Sequence, residues 1–93
     1  MDKQTTVLLA DDHAVFRKGL RLLLEAEGDL HIVGEAGNGE EAIALSRKVS
    51  PDVVVMDITM PGLNGIEAAA HILSISPTTR VMALSVHSGK RFV

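Results

Sequence analysis

Four polar residues stand where a parallel β-sheet would bring them together for chemistry. Each lies at, or one residue past, the end of a short apolar segment: these residues are Asp11, Asp12, Asp57 and Ser85. The carboxyl ends of parallel strands share one edge of the sheet, and ligands bind there where the strand order reverses. If the first and third segments are neighbouring strands, three carboxylates converge on one crevice, with the hydroxyl of Ser85 nearby.

Three carboxylates in one crevice repel each other, and their desolvation adds to that cost. Either one of them is protonated or a cation binds. The chain has no cysteine and its four histidines show no metal-ligand spacing, so oxygen ligands predict a hard ion such as Mg²⁺. Asp57 ends the most apolar segment and is the best candidate nucleophile, because carboxylates form acyl phosphates. Ser85 would then donate a hydrogen bond to a phosphoryl oxygen.

Each of these residues taken singly also has a purely structural interpretation. Asp12 stands just before a predicted helix, and by itself it favours an N-cap. Asp11 alone fits a solvated charge at a strand end, Asp57 alone fits a turn cap, and Ser85 alone is uninformative. However, burying a carboxylate directly after an apolar strand costs free energy unless the carboxylate has a binding partner. The presence of all four residues at one sheet edge favours a ligand-binding site.

Two kinds of apolar pattern alternate along the chain. Short apolar segments predict strands over residues 7–10, 31–36, 53–56 and 81–84. Helical spacing predicts three helices between them, with these apolar positions: Phe16, Leu20, Leu23 and Leu24; Ala42, Leu45 and Val49; Ile66, Ala69, Ala70 and Leu73. In the first helix Arg17, Lys18, Arg21 and Glu25 are expected to face away from the apolar side, and Asn38 is expected to cap the second. Strict alternation predicts an α/β fold with a parallel sheet covered on both faces.

Composition excludes several classes of protein. The chain has 93 residues, which fits one small domain, and 46% of them are hydrophobic but only 2% aromatic, so the core must be aliphatic. A net charge of −3 offers no basic footprint for nucleic acid or anionic lipid. Because no signal-peptide pattern or membrane-length apolar run is present, we expect a cytoplasmic protein without membrane contact.

The same residues resemble a known family. The acidic pair Asp11-Asp12, Asp57 with Met60-Pro61-Gly62 after it, and Ser85 after the fourth strand resemble the receiver domain of two-component response regulators. The resemblance covers essentially the whole chain. The runs Asp11-Asp12-His13, Phe16-Arg17, Gly19-Leu20 and Leu84-Ser85-Val86-His87 resemble the NarL/FixJ type, in which the receiver precedes a DNA-binding helix-turn-helix domain.

The resemblance implies a flavodoxin-like (CheY-like) doubly wound sheet and a signalling switch rather than an enzyme. Asp57 would be phosphorylated by a sensor histidine kinase or a small phosphodonor. Asp12, Asp57 and the backbone carbonyl of Thr59 would bind Mg²⁺ directly, and Asp11 would act through water. Ser85 would move toward the phosphoryl group and reposition the segment that begins at His87, so that a local charge biases a two-state element.

One departure from the family pattern concerns the end of the chain. Receiver domains have a fifth strand that ends in a phosphoryl-pairing lysine, and then a fifth helix. This sequence stops at Val93, and Lys90 is a poor substitute for that lysine. We therefore expect residues 1–93 to form one incomplete receiver domain with strand order 2-1-3-4, slow phosphorylation, and DNA binding only through an output domain absent from this chain. A bare fourth strand also predicts self-association or swapped elements.

Three other functions remain open at this stage. A Mg²⁺-dependent phosphohydrolase of the haloacid dehalogenase type would place a second acid two residues after the nucleophile, but Thr59 occupies that position. A flavin protein is disfavoured because no aromatic residue flanks the crevice. A receiver-like protein-interaction module that phosphorylation does not regulate is the main alternative, because the lysine is missing.

Overall fold

Strands and helices alternate throughout the part of the chain that the structure, a computed structural model, describes: residues 4–58 and 65–84. The elements are β1 (Thr5–Ala10), α1 (Ala14–Glu25), β2 (Leu30–Ala36), α2 (Gly39–Val49), β3 (Val53–Asp57), α3 (Gly65–Ile75) and β4 (Arg80–Leu84). All four predicted strands and all three predicted helices are present, with bounds that differ by a few residues. The α/β prediction is confirmed.

The four strands form one parallel sheet in the order β2-β1-β3-β4, as predicted. β1 and β3 are neighbours, and Ala10 pairs with Met56 in their register. The residues that follow, Asp11 and Asp57, therefore leave the sheet side by side. In the next pair of strands Asp57 is level with Leu84, so β4 ends at the same edge.

The core lies on both faces of the sheet, because successive side chains of a strand point to opposite sides. The face under α2 and α3 contains Leu8 and Met56 at 0% exposure, with other buried members of the cluster being Ala10, Ala36, Ala42, Val54, Ala68 and Ile72. The opposite face contains Val7, Leu9, Ile32 and Val55, against which Leu20 and Leu24 of α1 pack. The aliphatic core that the composition predicts is thus divided unequally between two layers.

The orientation of α1 differs from the prediction. Its half-buried residues are Arg17, Leu20, Arg21 and Leu24, and none of its residues is fully buried. The two arginines, predicted to face away, share the inner side with the two leucines. Leu23, predicted to be on the apolar side, is 70% exposed. The reason is a carboxylate on the sheet, described below, which turns the arginines inward.

The buried side of α3 also differs from the prediction. Ala68 and Ile72 are buried, whereas Ile66 is 68% exposed and Leu73 is 43% exposed. This helix is apolar around most of its circumference, so spacing alone does not select one side. In α2 the prediction is confirmed at Ala42, which is buried.

The beginning of α2 follows the predicted capping. The side chain of Asn38 accepts a hydrogen bond of 2.8 Å from the backbone N–H of Glu41. The Glu41 carboxylate accepts one of 2.7 Å from the N–H of Gly37. These reciprocal bonds satisfy donors that a helix start leaves open. Of the helices in the described ranges, none has the length and apolar character needed to cross a membrane.

Candidate functional site

The turn after β1 is shaped by the side chain of Asp11. The backbone N–H of Asp11 continues the sheet by donating to Ala36 at 3.0 Å. Its carboxylate, on a residue only 4% exposed, accepts a hydrogen bond of 2.7 Å from the N–H of His13 through Oδ1. The N-cap residue of α1 is His13, which makes no side-chain capping bond. The interpretation of Asp12 as a simple N-cap is therefore wrong, because the preceding aspartate makes the bond that holds this turn.

Asp57 is the last residue of β3 and is 1% exposed. Directly after it, the N–H of Ile58 donates to the carbonyl of Leu84 at 3.0 Å, which continues the pairing with β4. The first residue of α3, Gly65, lies against this point. A Cβ atom on Gly65 would be 2.5 Å from the Cα of Ile58 and 2.7 Å from the carbonyl oxygen of Asp57. The backbone around Asp57 is thus held between β4 and α3.

The three predicted carboxylates converge as the strand order requires. One oxygen from each of Asp11, Asp12 and Asp57 and one ring nitrogen of His13 all lie within 4.8 Å of one another. We call these four residues the acidic cluster. His13 Nδ1 is 3.0 Å from Oδ1 of Asp12 and 3.6 Å from Oδ1 of Asp11. His13 was not among the predicted site residues, because the histidines show no ligand spacing along the sequence.

Two arginines on successive turns of α1 bind one carboxylate on β2. Arg17 Nε donates to Oε1 of Glu35 at 2.9 Å, and Arg21 Nη1 donates to Oε2 at 2.6 Å. The hydrogen bonds from Arg17 and Arg21 lower the pKa of Glu35 against the opposing effect of burial. The hydrogen bond to Glu35 raises the pKa of Arg21. Arg17 reaches further, because its Nη1 donates to the backbone carbonyl of Asp11 at 2.5 Å.

The pattern of acidic residues at the carboxyl edge of this sheet coincides with a family match. Residues 7–93 match the response regulator receiver domain. The chain belongs to this family. The resemblance inferred from the sequence is confirmed, and so is its NarL-type character, because the structural neighbours include the receiver domain of a NarL protein.

The relatives and structural neighbours of this receiver domain include a transcriptional regulatory protein, a NarL receiver domain and a complex of CheY. The uncharacterized transcriptional regulatory protein YxjL of Bacillus subtilis is 41% identical over 87 residues, which are 94% of this chain and 40% of that protein. The signal receiver domain of the putative response regulator NarL from Mycobacterium tuberculosis has a TM-score of 0.86 and 38% identity, covering 91% of this chain and 68% of that one. The CheX-CheY-BeF₃-Mg²⁺ complex from Borrelia burgdorferi has a TM-score of 0.84 and 28% identity, and the match covers 96% of this chain and 67% of that one.

The chain spans about 40% of the length of the curated relative YxjL. The activity and partners of such full-length regulators are therefore only proposed for this receiver domain. The part that matches is the part that carries the acidic cluster.

The acidic cluster of this receiver domain has the chemistry of a site for a hard divalent cation. Carboxylate oxygens are the ligands that Mg²⁺ prefers. Because these ligand atoms lie no more than 4.8 Å apart, each pair of charged carboxylates would repel by at least roughly 3 kcal/mol for an effective dielectric constant of about 20. Asp11 and Asp57 are buried, so water screens them little. A bound cation would offset this repulsion, and the residues present fit Mg²⁺.

Two predicted site residues, Thr59 and Ser85, lie outside the residues that the structure describes. The same holds for the Met60-Pro61-Gly62 run, His87 and Lys90. Three residues that were not predicted to belong to the site, His13, Arg17 and Gly65, contact it. Only Gly65 carries a signal that sequence inspection uses, since a glycine that opens a helix after a loop indicates close backbone approach.

Proposed function

We propose that this receiver domain is a phosphoacceptor whose Asp57 is phosphorylated in a Mg²⁺-dependent reaction by a sensor histidine kinase. A carboxylate oxygen of Asp57 attacks the phosphorus atom, the bond from phosphorus to the donor histidine nitrogen breaks, and that nitrogen recovers its proton. The observation that carries the proposal is the position of Asp57: it is buried at the end of β3, inside a cluster whose ligand atoms lie within 4.8 Å of one another.

In this proposal the acidic cluster holds the metal. Asp12 and Asp57 would bind Mg²⁺ directly, together with the backbone carbonyl of Thr59, and Asp11 would act through water. When bound, Mg²⁺ neutralises charge on the phosphoryl oxygens and so lowers the barrier to attack by an anionic carboxylate. The support is the donor set itself, and the structural neighbour from Borrelia burgdorferi whose complex contains BeF₃ and Mg²⁺.

Ser85 is proposed as the switch residue that responds to the phosphoryl group. Asp57 is level with Leu84 in the register of β3 and β4, and Ile58 donates to the Leu84 carbonyl. The carboxyl end of β4 therefore lies beside Asp57. A hydroxyl there would donate to a phosphoryl oxygen and pull the segment beginning at His87, which is how a local charge biases a two-state element.

We propose that the phosphorylated receiver controls transcription in the cytoplasm through a C-terminal helix-turn-helix domain of a longer protein. The relative YxjL is called a transcriptional regulatory protein and is matched over 40% of its length. The net charge of −3 fits a module that leaves DNA contact to another domain, because DNA-binding surfaces are strongly basic.

Self-association of the 93-residue chain is part of the proposal. α1 exposes Leu22 at 71% and Leu23 at 70%, and Met82 on β4 is 56% exposed. β4 is one of the two edge strands of the described sheet. Apolar side chains on a helix and beside a sheet edge favour contact with a second copy.

The test is phosphorylation by a small donor. The chain is incubated with Mg²⁺ and acetyl phosphate, and intact mass spectrometry is expected to show one added phosphoryl group. The adduct should disappear in Asp57→Ala and with excess chelator. It should persist in Asp29→Asn, which changes an exposed carboxylate outside the acidic cluster.

Each other outcome contradicts the proposal in a distinct way. An adduct that persists in Asp57→Ala would refute the assignment of the site. Turnover of many phosphate esters would favour a phosphohydrolase. No adduct in the parent chain, with binding to a partner protein intact, would favour an interaction module that phosphorylation does not regulate.

A further inference from the structure

Arg17 of α1 bridges the acidic cluster and the second strand. Its Nη1 donates to the backbone carbonyl of Asp11 at 2.5 Å, and its Nε donates to Glu35 at 2.9 Å. Its side chain is 18% exposed, so the guanidinium is largely withdrawn from water. A planar guanidinium presents several N–H groups in fixed directions, which lets it bind two segments at once. An ammonium group has no such fixed geometry.

We infer that Arg17 is a positioning residue that sets the geometry of the acidic cluster for its metal. The peptide unit between Asp11 and Asp12 is planar, so holding the Asp11 carbonyl fixes the direction in which the chain enters Asp12. The Asp11 carboxylate holds the other end of the turn through the N–H of His13. Arg17 and Asp11 thus orient both carboxylates of the pair. The inference rests on the proposed function in taking Mg²⁺ as the ligand of the cluster.

Glu35 and Arg21 complete the hydrogen-bond network around Arg17, and Arg21 provides a control substitution. Glu35 holds the Nε of Arg17 and is itself held from the other side by Arg21 at 2.6 Å. Arg21 also donates to Glu25, at 3.3 Å, whereas Arg17 turns its second nitrogen to the Asp11 carbonyl. The two arginines therefore lie on the same helix and share one carboxylate, but the contact with the cluster is made by Arg17.

Charge and position predict opposite effects, which makes the inference testable. Removing a positive charge near the acidic cluster would strengthen Mg²⁺ binding by electrostatics alone. Losing the orientation of Asp11 and Asp12 would weaken it, since groups that orient metal ligands typically contribute 10–100-fold in affinity or activity. Arg17→Lys retains the charge and loses the fixed geometry, so it isolates the positional effect.

The experiment is a Mg²⁺ titration of the isotope-labelled chain, followed by the NMR shifts of the Asp12 and His13 amides. We expect Arg17→Lys to bind Mg²⁺ about tenfold more weakly than the parent. Arg21→Lys, the same substitution one turn away, should change the affinity less than about twofold, because it keeps a cation beside Glu35 and Arg21 donates to Glu35 and Glu25 rather than to the acidic cluster. Arg17→Gln should weaken binding less than Arg17→Lys, since its lost charge acts in the other direction. Equal affinities of the two lysine variants, or tighter binding by Arg17→Gln than by the parent chain, would overturn the inference.

A second measurement separates this inference from the proposed function. Hydrogen exchange of the His13 amide in the metal-free chain is expected to quicken about tenfold in Arg17→Lys and to stay unchanged in Arg21→Lys. If the parent chain binds no Mg²⁺, the proposed metal is wrong, yet unchanged exchange in Arg17→Lys would still refute the role of Arg17. If Arg17→Lys does not fold, Glu35→Gln is the second variant, because it weakens the hydrogen bond that Nε of Arg17 donates. We expect this variant to bind Mg²⁺ severalfold more weakly than the parent chain. An unchanged affinity would refute the inference.

Discussion

Gly65 is the residue at which the packing around Asp57 leaves no room for a side chain. A Cβ there would meet the Cα of Ile58 at 2.5 Å, and backbone atoms cannot move aside as a flexible side chain can. We expect Gly65→Ala to lower the free energy of unfolding by about 1–3 kcal/mol, as overpacking does. Denaturant unfolding measures this, and the rate of phosphorylation should fall as well, because the displaced backbone carries Asp57.

Gly19 gives the matched control for this substitution. It lies inside α1, and no atom stands within 4 Å of a Cβ added there. Because alanine is favoured over glycine in a helix interior by about 1 kcal/mol, Gly19→Ala should stabilise the chain. A similar loss of stability in both variants would mean that the close approach of α3 to β3 is not what requires glycine.

Single residues show where sequence reasoning succeeds and where it stops. Asp11, Asp12 and Asp57 were predictable because a strand end fixes both their position and the edge they share. Arg17 was not, because within the helix pattern it is as polar as Lys18. The difference between them arises from Glu35, 18 residues beyond Arg17, and the sequence alone does not show that β2 brings it there.

At the scale of elements, β2 and α1 are joined by the Glu35 carboxylate and its two arginines. Their hydrogen bonds lower the pKa of Glu35 below its ordinary value of 4.5. A carboxyl whose pKa is lower in the folded state stabilises the fold above its unfolded pKa, and this stability is lost as pH falls through the folded pKa. The link between α1 and the sheet should therefore weaken below about pH 4.5.

The pH dependence is tested with Glu35→Gln. Its deficit in unfolding free energy relative to the parent should be constant at neutral pH and should shrink as the pH falls below about 4.5. In a background that carries Arg17→Gln and Arg21→Gln, the same substitution should have a much smaller effect, as in a double-mutant cycle. A deficit that does not vary with pH would contradict the role of the ion pairs.

α3 offers a second comparison at this scale, between two isoleucines of one helix. Ile72 is 0% exposed and Ile66 is 68% exposed. We expect Ile72→Ala to cost about 2–5 kcal/mol of stability, because it leaves a cavity. Ile66→Ala should change the stability by less than about 0.5 kcal/mol. Thermal or denaturant unfolding of the two variants measures these changes in stability. Equal losses of stability would contradict the observed orientation of the helix.

Strands were easier to predict from the sequence than the buried sides of the helices. A strand that is apolar on both faces, such as β3, needs only its composition to be placed in the middle of a sheet. A helix must also choose a side, and α3 is apolar around most of its surface. In α1 the choice is made by Arg17 and Arg21, whose partner is remote in sequence.

For the whole molecule, the unequal covering of the two sheet faces predicts association between copies. Within the described ranges α1 has no buried residue and exposes Leu22 and Leu23. We expect the mean mass from light scattering to rise with concentration, and Leu23→Glu to reduce that rise. Ala44→Glu, on the exposed side of α2, is the control and should leave it unchanged. A monomer across a wide range of concentration would contradict the expectation.

The paired arginines have a consequence for how α1 is held in place. Arg17 and Arg21 are four residues apart, and each binds one oxygen of the same carboxylate, so α1 cannot roll about its long axis without lengthening at least one of these bonds. The angular setting of the helix is therefore fixed by ion pairs as well as by the packing of Leu20 and Leu24. Because salt screens charges that are partly exposed, rising ionic strength would loosen this setting while the layer under α2 and α3 stays intact.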